Sequence, residues 1–205
     1  MNDELTASAL LHDGLEALNR GQQHHHHLLQ YLVLLKQWNQ AYNLTAVREL
    51  PTMVTRHVLD SLAIAPYLHG NRVLDVGSGA GLPGMVLAIT NPALNVVLLD
   101  SNGKKIRFLN TVKRSLDLRH VTVVRTRALN YHVTVSFDTV VSRAFSDLSQ
   151  FIQWTNHLVV TDGIWLAMKG VYPKEELASI PFPYAVHPYQ VPGLDEQRCA
   201  VIIKK

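Results

Sequence analysis

Residues 73–84 read VLDVGSGAGLPG, where one acid, Asp75, precedes four glycines, Gly77, Gly79, Gly81 and Gly84, crowded into eight positions. Glycines at that density let the backbone come close to a ligand, and a helix opening behind them favours bound negative charge. Gly79, Gly81 and Gly84 satisfy G-x-G-x-x-G literally, the pattern of a dinucleotide pyrophosphate loop. Two features argue for other chemistry. The apolar strand run ends at Gly77, two residues before the triplet, whereas a dinucleotide loop begins its triplet at the strand end. Asp75 also sets a carboxylate just ahead of the loop. A carboxylate there repels a pyrophosphate and suits a ligand with an ammonium group and a sulfonium, such as S-adenosylmethionine. Asp100, closing VVLLD, brings two oxygens able to accept both hydroxyls of a ribose, which either nucleoside ligand carries.

Such a loop needs a sheet to present it. The short apolar runs VLDV, VVLLD, VTVV, DTVVS and GIWLAMK alternate with helical stretches such as KKIRFLNTVKRSL. Strands covered by helices on both faces give runs of this kind, so the expected fold is α/β, a doubly wound, mostly parallel sheet. YAVHPYQV and RCAVIIKK, separated by a Pro/Gly turn, predict an antiparallel pair closing one edge. The first third reads differently. Residues 3–20 and 26–41 carry leucines at helical spacing, with Leu28, Leu32, Leu35 and Trp38 forming one stripe, and a third helix is expected from Pro51 towards Pro66. The expected organisation is a helical extension over 1–66 and a ligand-binding domain over 67–205.

Composition narrows the function classes. A chain of 205 residues with 47% hydrophobic content buries one substantial core. Lys36 interrupts its most leucine-rich stretch, LLQYLVLLKQW, well before a bilayer-spanning length, and MNDELTASAL carries acids where a secretory signal carries basic residues. A single Cys199 forms no internal disulfide. A cytoplasmic protein without a membrane anchor is expected, with a monomer as the default. Net charge is only +3, yet Lys104, Lys105, Arg107, Lys113, Arg114, Arg119, Arg125 and Arg127 face one acid, Asp117, over that stretch. This is either a phosphate-facing surface or a solvated helix face. His24, His25, His26 and His27 point in different directions on a helix and lack Cys or carboxylate partners, so no metal site is expected there.

Taken together, KQWNQAYNLTAV at 36–47, RHVLDS at 56–61, DVGSGAGLPG at 75–84, LLDSNGKKIRFL at 98–109, VSRAF at 141–145, AMKG at 167–170 and VPGLDEQR at 191–198 are diagnostic in their order and spacing. With them the chain resembles the bacterial small-subunit rRNA guanine-N7 methyltransferases called RsmG, earlier GidB. The resemblance implies a Rossmann-like class I methyltransferase fold with a seven-stranded sheet and S-adenosylmethionine as methyl donor. It implies a target guanine at position 527 of 16S rRNA, met within the small ribosomal subunit or a precursor of it. It carries donor contacts onto Gly77, Gly79 and Leu82 of the loop beside Asp75, onto Ala128 and Leu129 after the third strand, and onto Arg143, with Asp100 at the ribose. Leu129 stands where the family usually has an acid, so only a backbone contact to the adenine region carries over there. Arg127, Lys169 and Arg198 match basic positions expected at rRNA phosphates or the target guanine.

The chemistry so implied asks for no general base, because guanine N7 has a free in-plane lone pair at neutral pH. Pyrimidine C5 methylation needs a cysteine nucleophile, and Cys199 is expected in the last strand, away from the catalytic edge. Amino-group methylation commonly uses an Asn- or Asp-Pro-Pro-aromatic turn after the fourth strand, where this chain has VVSRAF. Arg56 with Asp60, and His57 with Ser61, stand four apart on the expected third helix and should share its polar side. Outside the resemblance, a nicotinamide oxidoreductase built on the literal glycine triplet and a non-catalytic RNA-binding protein remain open.

Overall fold

The computed structural model describes residues 2–143, 145 and 147–205. Two helices open the chain, α1 (Asn2–Ala17) and α2 (His25–Tyr42). A third helical path runs through α3 (Leu50–Met53), a π-helical turn (Val54–Leu59) and α4 (Asp60–Ala63). Seven strands follow: β1 (Arg72–Val76), β2 (Asn95–Asp100), β3 (Val121–Arg125), β4 (Phe137–Arg143), β5 (Val159–Lys169), β6 (Tyr184–Val191) and β7 (Leu194–Lys204). Between them lie α5 (Gly84–Thr90), α6 (Gly103–Ser115), α7 (Leu148–Thr155) and the short α8 (Lys174–Leu177).

The sheet order is β3-β2-β1-β4-β5-β7-β6, with β1 to β5 parallel and β7 antiparallel to both its neighbours. The chain winds outward in one direction from β1 and then in the other from β4, so a crevice opens above the carboxyl ends of β1 and β4, the switch point where open α/β sheets bind ligands.

Each parallel strand is apolar because both its faces are covered. Val73 and Leu98 face a cluster with Leu11, Leu28, Leu32, Val86 and Phe108, so the first helices and the sheet share one core. Leu74, Val76 and Leu99 face the other layer, with Phe151 and Trp165. Each fully buried side chain of this size contributes about 1.5–3 kcal/mol. Trp165 also satisfies its indole N–H, which donates to Thr155 Oγ1 at 2.9 Å.

Local chemistry sets the helix ends. Asn43 ends α2 in the left-handed conformation, φ 48°, with its N–H on the Asn39 carbonyl. Asn102 and Asp147 cap α6 and α7 by accepting from Lys104 N–H and Gln150 N–H. The third helical path departs from the expectation of an α-helix throughout. Its π turn widens the spacing between successive turns, so residues four apart no longer stack as an α-helix would stack them.

Candidate active site

The glycine loop stands at the switch point and divides into two halves. Gly77 and Gly79 have φ of +70° and +59°. A Cβ at Gly77 would meet no atom within 4 Å, and one at Gly79 would reach only the Gly77 carbonyl and Lys105 Nζ, both at 3.8 Å. These two glycines border open space. Gly81 and Gly84 do not: a Cβ at Gly81 would lie 2.7 Å from Met85 Cβ, and one at Gly84 would lie 2.5 Å from Leu98 Cδ2 and 2.7 Å from Asp75. In a dinucleotide grip the second glycine of the triplet is the one that admits the pyrophosphate, whereas here that position, Gly81, is filled by packing and the open one is the first, Gly79.

The sequence predicts that Asp75 faces the ligand, and the structure sets it beneath the loop. It is fully buried, and its Oδ2 accepts the Gly84 N–H at 2.8 Å. Gly84 lacks a side chain because Asp75 and Leu98 occupy that space. The other oxygen, Oδ1, is buried and has no partner among the described residues. Burial pushes this carboxyl up to about 7, with the Gly84 N–H and Arg143 pulling the other way. A buried, half-satisfied carboxylate behind a loop is stabilised by a cation on the loop's open side, and the free space against Gly77 and Gly79 fits a sulfonium-bearing nucleoside in that sense.

The loop is tied down from two directions. Gly77 N–H and Ser78 N–H both donate to the Leu99 carbonyl at the end of β2, and Gly79 N–H donates to Asp100 Oδ2 at 2.9 Å. Asp100 Oδ1 accepts the Asn102 N–H at 2.8 Å, and Lys105 Nζ lies 3.6 Å from Oδ2. Each oxygen keeps capacity for one more donor. From the helical layer, the buried Tyr31 hydroxyl donates to the Ala80 carbonyl at 2.9 Å. Leu82 is buried within the loop. Ala128 is buried in a 3-10 turn after β3, whereas Leu129 beside it is 49% exposed. Arg127 is exposed, and its side chain makes no hydrogen bond or ion pair among the described residues, while its carbonyl accepts the Asn130 N–H. Of the basic run, Lys104 and Arg107 lie over the Tyr42 ring, 5.8 and 5.6 Å from its centre.

A second constellation gathers around Asp60. The sequence pairs Arg56 with Asp60 four residues on, and in the structure Arg56 pairs with Glu196 instead. The π turn releases Asp60 to Arg143 at 3.5 Å, to Arg198 at 3.5 Å and to the Tyr189 hydroxyl at 3.0 Å. Arg143 also donates to the Arg56 carbonyl at 2.9 Å. Burial raises the Asp60 pKa, and the two arginines and Tyr189 oppose that rise. Ser61 reaches the backbone carbonyl of His57 rather than its ring. The His57 ring shares a hydrogen bond with Thr45 Oγ1 at 2.9 Å, while Asn39 holds the same loop by accepting the Thr45 N–H and donating to the Val47 carbonyl. Burial, followed by Arg143, lowers His57 to about 4, which keeps the imidazole neutral. Tyr31, Asn39, Thr45, Tyr189 and Glu196 carry no local signal that marks them for these tasks; three of them lie inside the quoted motifs, which was the available clue.

Lys169 stands apart from the other basic candidates. Its ammonium is held by both oxygens of Glu176, at 2.9 and 2.8 Å, and by the Phe145 carbonyl at 3.0 Å. It braces the segment after β4 rather than offering a free charge. Cys199 lies nearer the carboxyl ends of the strands than expected, because antiparallel β7 sets it opposite Lys169. Burial raises its thiol pKa, which leaves it protonated and unreactive. Beside it opens a cavity of about 1020 Å³, lined by Gly170, Tyr172, Tyr189, Gln197 and Arg198 among others. The structure therefore groups Gly77, Gly79, Leu82 and Asp100 about the loop, Arg143 and Arg198 about Asp60, and leaves Arg127 and Lys169 outside both groups.

Known proteins resemble this chain in sequence and in fold. Residues 24–201 match the family described as GidB: rRNA small subunit methyltransferase G. A ribosomal RNA small subunit methyltransferase G from Legionella pneumophila is 56% identical over 176 residues, covering 86% of this chain and 85% of its own. One from Pseudomonas aeruginosa is 52% identical over 182 residues, covering 87% and 85%. Among solved structures, a SAM-dependent methyltransferase from Aquifex aeolicus superposes with a TM-score of 0.56 at 15% identity, over 75% of this chain and 93% of its own, a likeness of fold. No helix among the described residues is long and apolar enough to cross a membrane. With most of the chain matched, and the glycine loop and Asp60 cluster assembled from the motifs first read in the sequence, this protein belongs to the rRNA small subunit methyltransferase G family.

Proposed function

We propose that this methyltransferase modifies N7 of the guanine at position 527 of 16S rRNA, acting in the cytoplasm as a monomer on the small ribosomal subunit or a precursor of it. S-adenosylmethionine supplies the methyl group as an electrophilic carbon on a sulfonium. Gly77 and Gly79 leave room for the donor, Asp100 is placed for its ribose, Ala128 and Leu129 for its adenine by backbone contact, and Asp75 favours its positive charge from beneath the loop. Arg143 serves as a methyl-donor contact, Arg198 as an rRNA contact, and Arg127 is available to RNA phosphates.

One observation carries the choice of N7. Among the described residues, the titratable groups near the crevice are engaged or held neutral, and the half-satisfied Asp75 is fully buried beneath the loop, out of a substrate's reach. Asp100 serves two backbone N–H groups, Asp60 two arginines and a tyrosine, and Glu176 holds Lys169. His57 and Cys199 are buried in their neutral forms. A nucleophile that must lose a proton is poorly served by such a site, whereas guanine N7 attacks with a lone pair already in place. The protein's task is then to orient the two reactants and to tolerate a cationic purine, and positioning of this kind contributes several kcal/mol.

The test is methyl transfer to purified small subunits, free 16S rRNA and DNA in parallel, with the modified atom mapped. Modification of a guanine N7 in the rRNA, and none in DNA, is expected. Methylation of an exocyclic amine or of a pyrimidine would overturn the reading.

A further inference from the structure

Glu196 sits between two arginines that come from different elements, one from the helical layer and one from the sheet edge. Arg56, in the π turn, reaches both of its oxygens, with Nη1 3.4 Å from Oε2. Arg198, in β7, places Nη2 2.9 Å from Oε2. Two guanidiniums converging on two oxygens of one anion is the arrangement that also grips the non-bridging oxygens of a phosphodiester. We propose that Arg56 and Arg198 form a clamp for one backbone phosphate of the rRNA, and that Glu196 fills the clamp until RNA displaces it. This rests on the reading of rRNA as the substrate.

Arg198 is fixed from behind. Its Nε lies 3.5 Å from Asp60 Oδ1 and its Nη1 donates to the Gln197 carbonyl, while Tyr189 holds the same Asp60 oxygen. Arg56 is fixed by the π turn whose carbonyl receives Arg143. The two carboxylates differ in kind. The Asp60 side chain is 5% exposed and locked, whereas that of Glu196 is 46% exposed and free to swing into solvent. Three guanidiniums, Arg56, Arg143 and Arg198, share these two carboxylates, so departure of Glu196 uncovers positive charge that an entering phosphodiester neutralises. Glu196 and Arg198 also line the cavity that holds Gly170 and Tyr172.

An ordinary surface ion pair clipping the β6–β7 hairpin to the helices predicts the opposite sign on removal, and this makes the proposal testable. Binding to purified 16S rRNA is measured for the wild type, Glu196→Gln and Asp195→Asn, the last removing the same charge from a neighbour that makes no ion pair among the described residues. Glu196→Gln should bind about two- to fivefold more tightly, the scale of one exposed ion pair released, and Asp195→Asn clearly less so. Arg56→Gln and Arg198→Gln should each weaken binding and lower its salt dependence, and Glu196→Gln should give no gain when both arginines are absent. Equal or weaker binding by Glu196→Gln, an equal gain from Asp195→Asn, or a gain that survives loss of both arginines would overturn the clamp. If Glu196→Gln fails to fold, unchanged RNA binding by the two arginine variants overturns it. If the wild type neither binds nor methylates 16S rRNA, the underlying reading of the substrate fails instead.

Discussion

Adding one methyl group at Gly77 separates ligand space from protein packing. A Cβ there meets no protein atom within 4 Å, so Gly77→Ala creates no clash. Its cost to folding is that of the backbone, held at φ +70°, where an L-residue is disfavoured by about 1–2 kcal/mol. For a chain of this size that lowers the melting temperature by roughly 2–8 °C. If the open space is donor space, the same methyl overpacks the bound donor by about 1–3 kcal/mol, a loss of roughly five- to 150-fold in affinity. Gly84→Ala is the counterpart, since its Cβ would lie 2.5 Å from Leu98 Cδ2 and 2.7 Å from Asp75, and it should destabilise the donor-free protein more than Gly77→Ala does. Calorimetric titration with S-adenosylmethionine and thermal unfolding without it read the two effects separately. A folded Gly77→Ala protein that binds the donor within about twofold of wild type would refute the assignment of that space.

Asp75 makes stability depend on pH. Its folded pKa, about 7, lies above its ordinary 3.8, so its contribution is full below about pH 4 and is lost as pH rises through about 7. His57, lowered from 6.5 to about 4, acts in the opposite sense between those values. The difference between wild type and Asp75→Asn isolates the carboxyl: in denaturant titrations the variant should gain on wild type from pH 5 to pH 8, and an unchanged difference would refute the assignment. Lys169→Ala removes the partner of Glu176 and frees the Phe145 carbonyl, with Leu148 N–H still on Glu176 Oε2. It should lower turnover while donor affinity stays within about threefold, and a loss of donor affinity matching that of Gly77→Ala would contradict the bracing role. Tyr31→Phe strands the Ala80 carbonyl and should cost about 1–3 kcal/mol of stability together with some donor affinity; a variant as stable as wild type would show that the tie is dispensable.

The parallel strands, the antiparallel edge and the glycine loop were legible because their causes are local. An apolar run, a turn residue and a glycine needed at positive φ are each decided within a few positions. The ends of α2 and α6 are also set locally, since Asn43 and Asn102 act on backbone groups within four residues.

What the sequence left undecided depends on residues far apart along the chain. Four glycines of one short loop proved to be two kinds, because Leu98, Met85 and Asp75 fill the space beside Gly81 and Gly84 while nothing fills the space beside Gly77. Arg56 and Asp60 are four apart and of opposite charge, yet the π turn parts them. Arg56 takes a partner 140 positions away, and Asp60 meets Tyr189 at a separation of 129. The residue types of Asp75, Asp60 and Lys169 advertised charge at a site, and only the tertiary structure decided which charge is buried, which is paired and which faces solvent. The physical reason is that conformational preference is a property of a short stretch of chain, whereas desolvation and ion pairing belong to whatever the fold brings alongside.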